Sequence, residues 1–332
     1  MACLPHHLHG MTGQFFRIAL AAIFTLLLAA PAAAQHLRPH THHEFTQDYE
    51  PSPAIWQVSD EDTTVYLLGT MHALPRGFRW RSAKLNAIIA EADELVVETS
   101  RFDPSADVLN VDAKLKARIA NRSSTSSRLS AAGRERWIAL IARTGFGFDE
   151  IDKLPILLGL LTMGMMGEAD DQSFEAYGVE SVLEQEFLRR ESPIIAIEDS
   201  GEVMYSLFRL DTAALVDDLD SKLMAWNGKS LMPFFDVGYV ERSADDYWRM
   251  EHRWAQGILE ADFSIGFGDG PIGRAFDYNL LDRRNTSWAR WIEMRLQDPG
   301  TALVAVGAGH FEGPASLLIK LDDRGLSANR ID

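Results

Sequence analysis

The stretch "VYLLGTMHALP", residues 65–75, begins as an apolar run typical of a buried strand, breaks at a glycine and places His72 three residues later. Towards the other end of the chain, "ALVAVGAGHFEGP", residues 302–314, repeats the pattern with Gly307 and His310. Glycine permits a sharp turn or a close backbone approach directly after a strand. The repeated Gly-x-x-His turn therefore predicts two halves of a single site.

The segments around the first turn predict a β-hairpin or two neighbouring strands, which lead into a βαβ unit. Residues 54–60 and 64–68 have strand character on either side of the turn "DEDT". Next, "RSAKLNAIIAEAD" (81–93) has helical periodicity, and "ELVVETS" (94–100) is a short buried strand. The order strand, helix, strand indicates an α/β fold.

Helical segments fill most of the remaining chain. Residues 105–175 and 200–298 are mostly helical in pattern, and the apolar run at 154–167 is too short to span a bilayer and predicts a buried helix. Between them, "SPIIAIEDS" (192–200) is another buried strand. We therefore expect an α/β fold with a central, mainly parallel or mixed sheet, helices around it and a helical lobe inserted between strands.

The amino-terminal residues are typical of an export signal. An arginine precedes an apolar run, and small residues ending at Ala34 suit cleavage, so residues 1–34 predict a signal peptide, with Met11 as an alternative start. The apolar run is shorter than the roughly 20 residues that a membrane span requires. Residues 35–53, polar and rich in His and Pro, predict a flexible linker before the domain at 54–332. We expect a periplasmic or secreted protein without a stable membrane anchor.

The composition argues against a nucleic-acid partner and against cysteine-based sites. With a formal net charge of −16, the chain lacks the basic character that a nucleic-acid partner requires. Its single cysteine, Cys3, lies in the predicted leader, which excludes disulfides, thiolate metal sites and a cysteine nucleophile from the mature chain. The sequence contains no H-E-x-x-H zinc motif and no G-x-S-x-G nucleophile elbow.

Four candidate site residues lie where predicted strands end. His72 and His310 follow their strands through the glycine turns, and Glu98 and Glu198 follow theirs directly. The carboxyl ends of parallel strands share one edge of a sheet, so these side chains are expected to meet there. Two imidazoles with a carboxylate suit Mn²⁺, Co²⁺, Fe²⁺ or Zn²⁺, and a spare glutamate can act as general base toward a metal-bound water.

The same residue types also have structural interpretations. Glu98 and Glu198 can cap the helices that follow them, and Glu180, at the start of a predicted helix, can favour the helix dipole. Arg284 either binds an anionic group or forms a structural ion pair. Because His72, His310 and Glu98 are expected at a solvent-reachable rim, replacing any one of them should change stability by about 1 kcal/mol or less.

The ordered motifs resemble the TraB/PrgY/GumN family, in particular its secreted GumN-like branch. The similar stretches lie in family order across residues 55–326: "IWQVSDEDTTVYLLGTMHALPRG", "ADELVVETS", "YGVESVLEQEF", "PIIAIEDSGE", "LLDRRNTSWARWIEMRL" and "ALVAVGAGHFEGPASLLIKLDDRGL". The animal Tiki proteins look related, and that resemblance implies a metal-dependent protease using Mn²⁺ or Co²⁺. It implies that the metal is held by His72, His310 and Glu98. Glu98 would also be catalytic, and Glu198 and Arg284 would support catalysis.

One departure from the family pattern concerns Glu180. Relatives commonly have Gly-hydrophobic-Asp where this chain has Gly178-Val179-Glu180, and the longer side chain argues against a direct ligand role. Taken together, the sequence predicts a secreted or periplasmic metal-dependent hydrolase, a peptidase with a peptide or protein substrate and an Mn, Co or Zn ion. The alternative is a non-catalytic periplasmic protein that binds a peptide, a metal or a tetrapyrrole in the same cleft.

Overall fold

A mixed sheet with helices on both faces is the framework of the protein. The computed structural model describes residues 44–100, 121–144, 146–166, 173–228, 247–259, 261, 263 and 267–332. Its strands are β1 (Ile55–Ser59), β2 (Thr63–Thr70), β3 (Leu74–Pro75), β4 (Glu94–Val97), β5 (Ser173–Phe174), β6 (Ile194–Ala196), β7 (Gly300–Gly307) and β8 (Asn329–Arg330). Its α-helices are α1 (Ala83–Glu91), α2 (Ala131–Thr144), α3 (Phe148–Asp152), α4 (Ile156–Met166), α5 (Val179–Arg189), α6 (Ser200–Arg209), α7 (Ala213–Ala225), α8 (Arg249–Ala255), α9 (Pro271–Phe276), α10 (Arg283–Arg295) and α11 (Leu317–Asp322).

The main sheet has the strand order β6-β4-β7-β2-β1-β8. β1 and β2 pair antiparallel, as the predicted hairpin requires, and β8 pairs antiparallel with β1. The neighbours β2, β7, β4 and β6 are all parallel. The expected α/β fold with a mixed sheet is therefore confirmed, and the carboxyl ends of these four strands lie at one edge.

The register of the parallel strands sets the level at which each one ends. Thr70 of β2 is paired with Gly307 of β7. Val97 of β4 is paired with Ala305 of β7 and with Ala196 of β6. In this register the four strands end within two residues of one another, so the residues that follow them leave the sheet at nearly the same height.

Both faces of the sheet are covered by helices, as its parallel part requires. Alternation along the strands directs Leu68, Leu95 and Leu303 to the face that packs against α1 and α5. Val96 and Val304 belong to the opposite face, which packs against α10 and α11. Helix α10 carries Arg284 to the carboxyl edge.

A separate helical core corresponds to the predicted lobe inserted between strands. Helices α2, α3, α4, α6, α7 and α9 surround it, and Trp137, Leu158 and Phe276 are fully buried within it. Residues 156–166 of the apolar run form α4, and Leu157, Leu158 and Met163 of this helix are buried here. A π-helical turn (Asp277–Asp282) connects α9 to α10 and so links this lobe to the sheet.

Residues 44–53 of the expected linker lie beside α8. The ring of Phe45 packs edge-on against Trp248 at a centroid distance of 5.9 Å, and the hydroxyl of Tyr49 lies 2.7 Å from Nδ1 of His252. Residues 35–43 and the expected leader at 1–34 lie outside the described residues. Within the described ranges, no helix has the length and apolar character needed to cross a membrane.

Candidate functional site

The carboxyl edge of the sheet brings His72, Glu98 and His310 together. His72 lies two residues after β2, Glu98 directly follows β4, and His310 lies in a 3₁₀ turn after β7. Nε2 of His310 is 3.7 Å from Oε1 of Glu98, which also accepts the Gly307 N–H at 2.8 Å. A Cβ atom on Gly307 would stand 3.2 Å from both Oε1 of Glu98 and Nε2 of His72. The bare backbone of Gly307 therefore forms the floor of the site.

A second close approach brings Glu180 to His72. Helix α5 begins against the first Gly-x-x-His turn, where the N–H of Val179 donates to the carbonyl of Met71 at 3.0 Å. A Cβ on Gly178 would stand 1.9 Å from the carbonyl oxygen of His72, so a larger residue cannot occupy this position without moving the turn. With glycine there, Oε1 of Glu180 lies 2.7 Å from Nδ1 of His72.

Glu180 controls the ionisation of His72. Its negative charge raises the pKa of His72 to about 9, although burial acts in the opposite direction. The hydroxyl of Thr70 donates to the same Oε1 of Glu180, while Oε2 is buried and has no hydrogen-bond partner among the described residues. Without a metal, His72 is therefore an imidazolium at neutral pH, with Nδ1 on Glu180 and Nε2 towards Gly307.

This ion pair predicts a pH-dependent stability. The pKa of His72 in the folded protein, about 9, exceeds the roughly 6.5 of the unfolded chain, so the stabilisation is complete below pH 6.5 and is lost as the pH rises through about 9. The His72 side chain is 40% exposed and the pair is screened by solvent, so we expect a contribution of about 1 kcal/mol. Urea unfolding of chelator-treated protein from about pH 6 to pH 10 measures it. Glu180→Gln should lose this pH-dependent part, and an unchanged pH profile would contradict the ion pair.

Arg284, on α10, uses every N–H group on protein acceptors. Nε donates to Oε2 of Glu198 at 2.9 Å, and Nη2 donates to Oε1 of Glu198 at 2.6 Å. Nη2 also donates to Glu98, and Nη1 donates to the Leu280 carbonyl at 3.1 Å and to Nε2 of His310 at 3.2 Å. A guanidinium has five N–H donors, and these five bonds occupy them all. Arg284 is therefore a cation that joins both glutamates to His310.

Burial and Arg284 act in opposite directions on the two carboxylates. Burial alone would raise the pKa of Glu98, but Arg284 and then the two imidazoles hold this pKa well below its usual range. At Glu198 burial has the larger effect and raises the pKa, with Arg284 opposing it. Glu198 accepts bonds from Arg284 and, at 3.2 Å, from the indole N–H of Trp288. Glu198 thus anchors Arg284, and Glu98 is the ionised carboxylate at the floor.

His310 is buried, so the expectation of a solvent-reachable rim is wrong for this residue. It is 5% exposed, and its ring lies 4.2 Å from that of Trp288, centroid to centroid. Burial, and next the positive charge of Arg284, lower the pKa of His310 to about 3, so the ring is neutral at neutral pH. Replacing it opens a cavity and leaves polar partners unpaired, which costs more stability than the about 1 kcal/mol expected for a rim residue.

Comparison with known protein families matches residues 54–330 to the TraB/PrgY/gumN family, a range that includes both Gly-x-x-His turns. The chain belongs to the TraB/PrgY/gumN family. This confirms the family resemblance found in the sequence. No curated protein and no solved structure matches the chain.

The donor set of this TraB/PrgY/gumN site fits a divalent metal ion in its chemistry. Two imidazoles and a carboxylate offer nitrogen and oxygen ligands, and each histidine has its other ring nitrogen at a side-chain oxygen, as metal-binding histidines commonly do. The 3.7 Å between His310 and Glu98 matches the roughly 3–4 Å between two ligands of one ion. In the part of the chain that the structure describes, no group of three or more His, Cys, Asp or Glu side chains is already arranged around a metal position. His72, 40% exposed, is the member with room to adjust.

Sequence patterns alone gave no site role to Glu180 or Asn285 of this family member. Glu180 was expected to act on the helix dipole, yet its carboxylate contacts His72. Asn285 lies next to Arg284 and contacts His310. Each reaches its histidine because a helix packs against the sheet edge, and the one local signal is Gly178, which lets α5 approach the turn.

Proposed function

We propose that this chain is a metal-dependent hydrolase of the periplasm or extracellular space that cleaves peptide bonds, with His72, His310 and Glu98 as the metal ligands. The observation that carries the proposal is the position of Oε1 of Glu98, which lies 3.7 Å from Nε2 of His310 and which, like Nε2 of His72, would stand 3.2 Å from a Cβ on Gly307. The leader pattern at residues 1–34 supports export. The acidic chain offers no support for a nucleic-acid partner.

The charge balance of the site favours a bound cation. Glu98, Glu180 and Glu198 carry three formal negative charges, against one positive charge on Arg284 and one on protonated His72. One negative charge then remains in a largely buried site, which is costly. If a divalent ion binds and the proton of His72 is released to solvent, the formal charge becomes zero.

The side chains have distinct parts in such a reaction. A divalent ion, when bound, supplies a polarised substrate carbonyl and a water of lowered pKa. Glu98 is kept ionised by Arg284 and is oriented by the Gly307 N–H. Glu180 keeps Nδ1 of His72 occupied, so that Nε2 faces the floor. Glu198 and Arg284 act by positioning, because the donors of Arg284 are used within the protein.

The proposal is tested by peptide cleavage with and without metal. The mature protein is stripped with a chelator, reloaded with Mn²⁺, Co²⁺ or Zn²⁺, and incubated with a peptide library whose products are identified by mass spectrometry. We expect cleavage only after reloading, and we expect it to be lost in His310→Gln. The matched control is His252→Gln, because His252 contacts Tyr49 of the amino-terminal segment and no predicted ligand.

Two outcomes would contradict this function. Cleavage that is insensitive to the chelator would remove the metal from the mechanism. Binding of metal or peptide without any cleavage would favour the alternative of a sequestering protein.

A further inference from the structure

Asn285 is a fully buried amide whose orientation is set by its surroundings. It is 0% exposed and follows Arg284 on α10. Its Nδ2 donates to the carbonyl of Ala315 at 2.8 Å and to the carbonyl of His310 at 3.2 Å. Both partners are acceptors only, so they require the amide nitrogen on that side. The amide oxygen must therefore point the other way, towards the ring of His310.

This orientation fixes the position of the proton on His310. Nδ1 of the ring is 2.7 Å from Oδ1 of Asn285, and an amide oxygen can only accept. Nδ1 must therefore carry the hydrogen. On the other side of the ring, Nε2 is 3.2 Å from Nη1 of Arg284, which can only donate. Both contacts thus favour the same form, with hydrogen on Nδ1 and a lone pair on Nε2, and the contact with Asn285 is the shorter of the two.

We propose that Asn285 is a positioning residue that holds His310 in the Nδ1–H tautomer and so keeps a lone pair on Nε2, the ring nitrogen that lies 3.7 Å from Glu98. The predicted effect of Asn285 on metal binding rests on the proposed function, whereas the tautomer assigned to His310 does not. Glu180 likewise contacts Nδ1 of His72, but it does so with a carboxylate oxygen in place of an amide oxygen. Residues that hold a metal-binding histidine in this way commonly change metal affinity about 10- to 100-fold when replaced.

The tautomer is tested on the chelator-treated wild-type protein by ¹⁵N NMR of labelled histidine side chains near neutral pH. The signals of His310 are assigned by their absence from His310→Gln. We expect a protonated, pyrrole-type Nδ1 and an unprotonated, pyridine-type Nε2. An Nε2–H tautomer or an imidazolium at His310 would overturn the inference.

The positioning role is tested by Asn285→Ala against the matched control Asn279→Ala. Asn279 is also buried, at 3% exposure, and its Nδ2 donates to a helix carbonyl, that of Ala275. Because Arg284 still donates to Nε2 in this variant, we expect Asn285→Ala, and not Asn279→Ala, to lose part of the Nδ1–H signature and to bind Mn²⁺ or Zn²⁺ about 10- to 100-fold more weakly by calorimetry. An Asn285→Ala protein with the wild-type tautomer would overturn the role. If wild-type protein binds no metal but the tautomer changes in Asn285→Ala, the positioning role stands and the metal-dependent function fails.

Discussion

Arg284→Met is expected to lower the free energy of unfolding by about 3–5 kcal/mol, because it leaves buried carboxylates without their counter-charge. Arg284 is 13% exposed, and Glu98 and Glu198 are 15% and 10% exposed. Methionine has a similar length and fills most of the space, so the loss reports on charge more than on packing. Equilibrium unfolding in urea, with circular dichroism as the signal, measures it.

The matched control for this effect is Arg295→Met, at the other end of α10. Arg295 is also 13% exposed, but it pairs with one carboxylate, that of Glu94. We expect this variant to lose about 1–2 kcal/mol, the range of a single, partly exposed charged hydrogen bond. Equal losses in the two arginine variants would contradict the idea that Arg284 compensates a buried pair of carboxylates.

A double variant separates charge from other causes. Glu198→Gln added to Arg284→Met removes one of the two uncompensated charges, so the double variant should be more stable than the sum of the two single losses predicts. Additive losses would place the cause in packing, for example in the contact of the guanidinium with the ring of Trp288, at 4.8 Å from the centroid.

The placement of the site could be predicted from the sequence because it depends on local patterns. Apolar runs that end at a glycine or a glutamate indicate strand ends, and the parallel arrangement of such strands brings their ends to one edge. His72, Glu98 and His310 meet there because β2, β4 and β7 are parallel neighbours in register. The hairpin of β1 and β2 and the buried helix α4 followed from strand and helix periodicity in the same way.

The electrostatic environment of the site could not be predicted, because it depends on packing between distant segments. The burial of His310 results from the approach of α10, which brings Trp288 against the ring. The full use of the donors of Arg284 requires acceptors from four separate parts of the chain, among them the Leu280 carbonyl at the π-helical turn. A sequence pattern identifies Arg284 as a charged helix residue, but it does not reveal that its N–H groups are all used within the protein.

Glu98→Gln is expected to reduce peptide hydrolysis at least about 10²-fold and to weaken metal binding. Glutamine preserves the size of the side chain but removes the negative charge that faces the Nε2 of His310 at 3.7 Å. Because Arg284 and the two imidazoles hold the pKa of Glu98 well below its usual range, this carboxylate is a weak base. We therefore expect the lost charge toward the metal, rather than a lost proton acceptor, to be the main cause.

The matched control for this last prediction is Glu94→Gln, at the start of the strand that Glu98 follows. Glu94 begins β4 and Glu98 directly follows it; both side chains are 15% exposed, and their partners Arg295 and Arg284 are both 13% exposed. Glu94→Gln thus removes an equivalent ion pair at the opposite edge of the sheet. Both variants should lose about 1–3 kcal/mol of stability, more than the small change expected for a residue at an open rim.

Only the comparison of metal affinity with turnover distinguishes the roles of Glu98. If both fall in Glu98→Gln and neither falls in Glu94→Gln, Glu98 is a ligand. If turnover falls while metal affinity is retained, Glu98 is instead the base that acts on a metal-bound water. If the two variants hydrolyse peptides equally well, the carboxylate at the floor of the site takes no part in the reaction, and its pairing with Arg284 serves only to hold the sheet edge and α10 together.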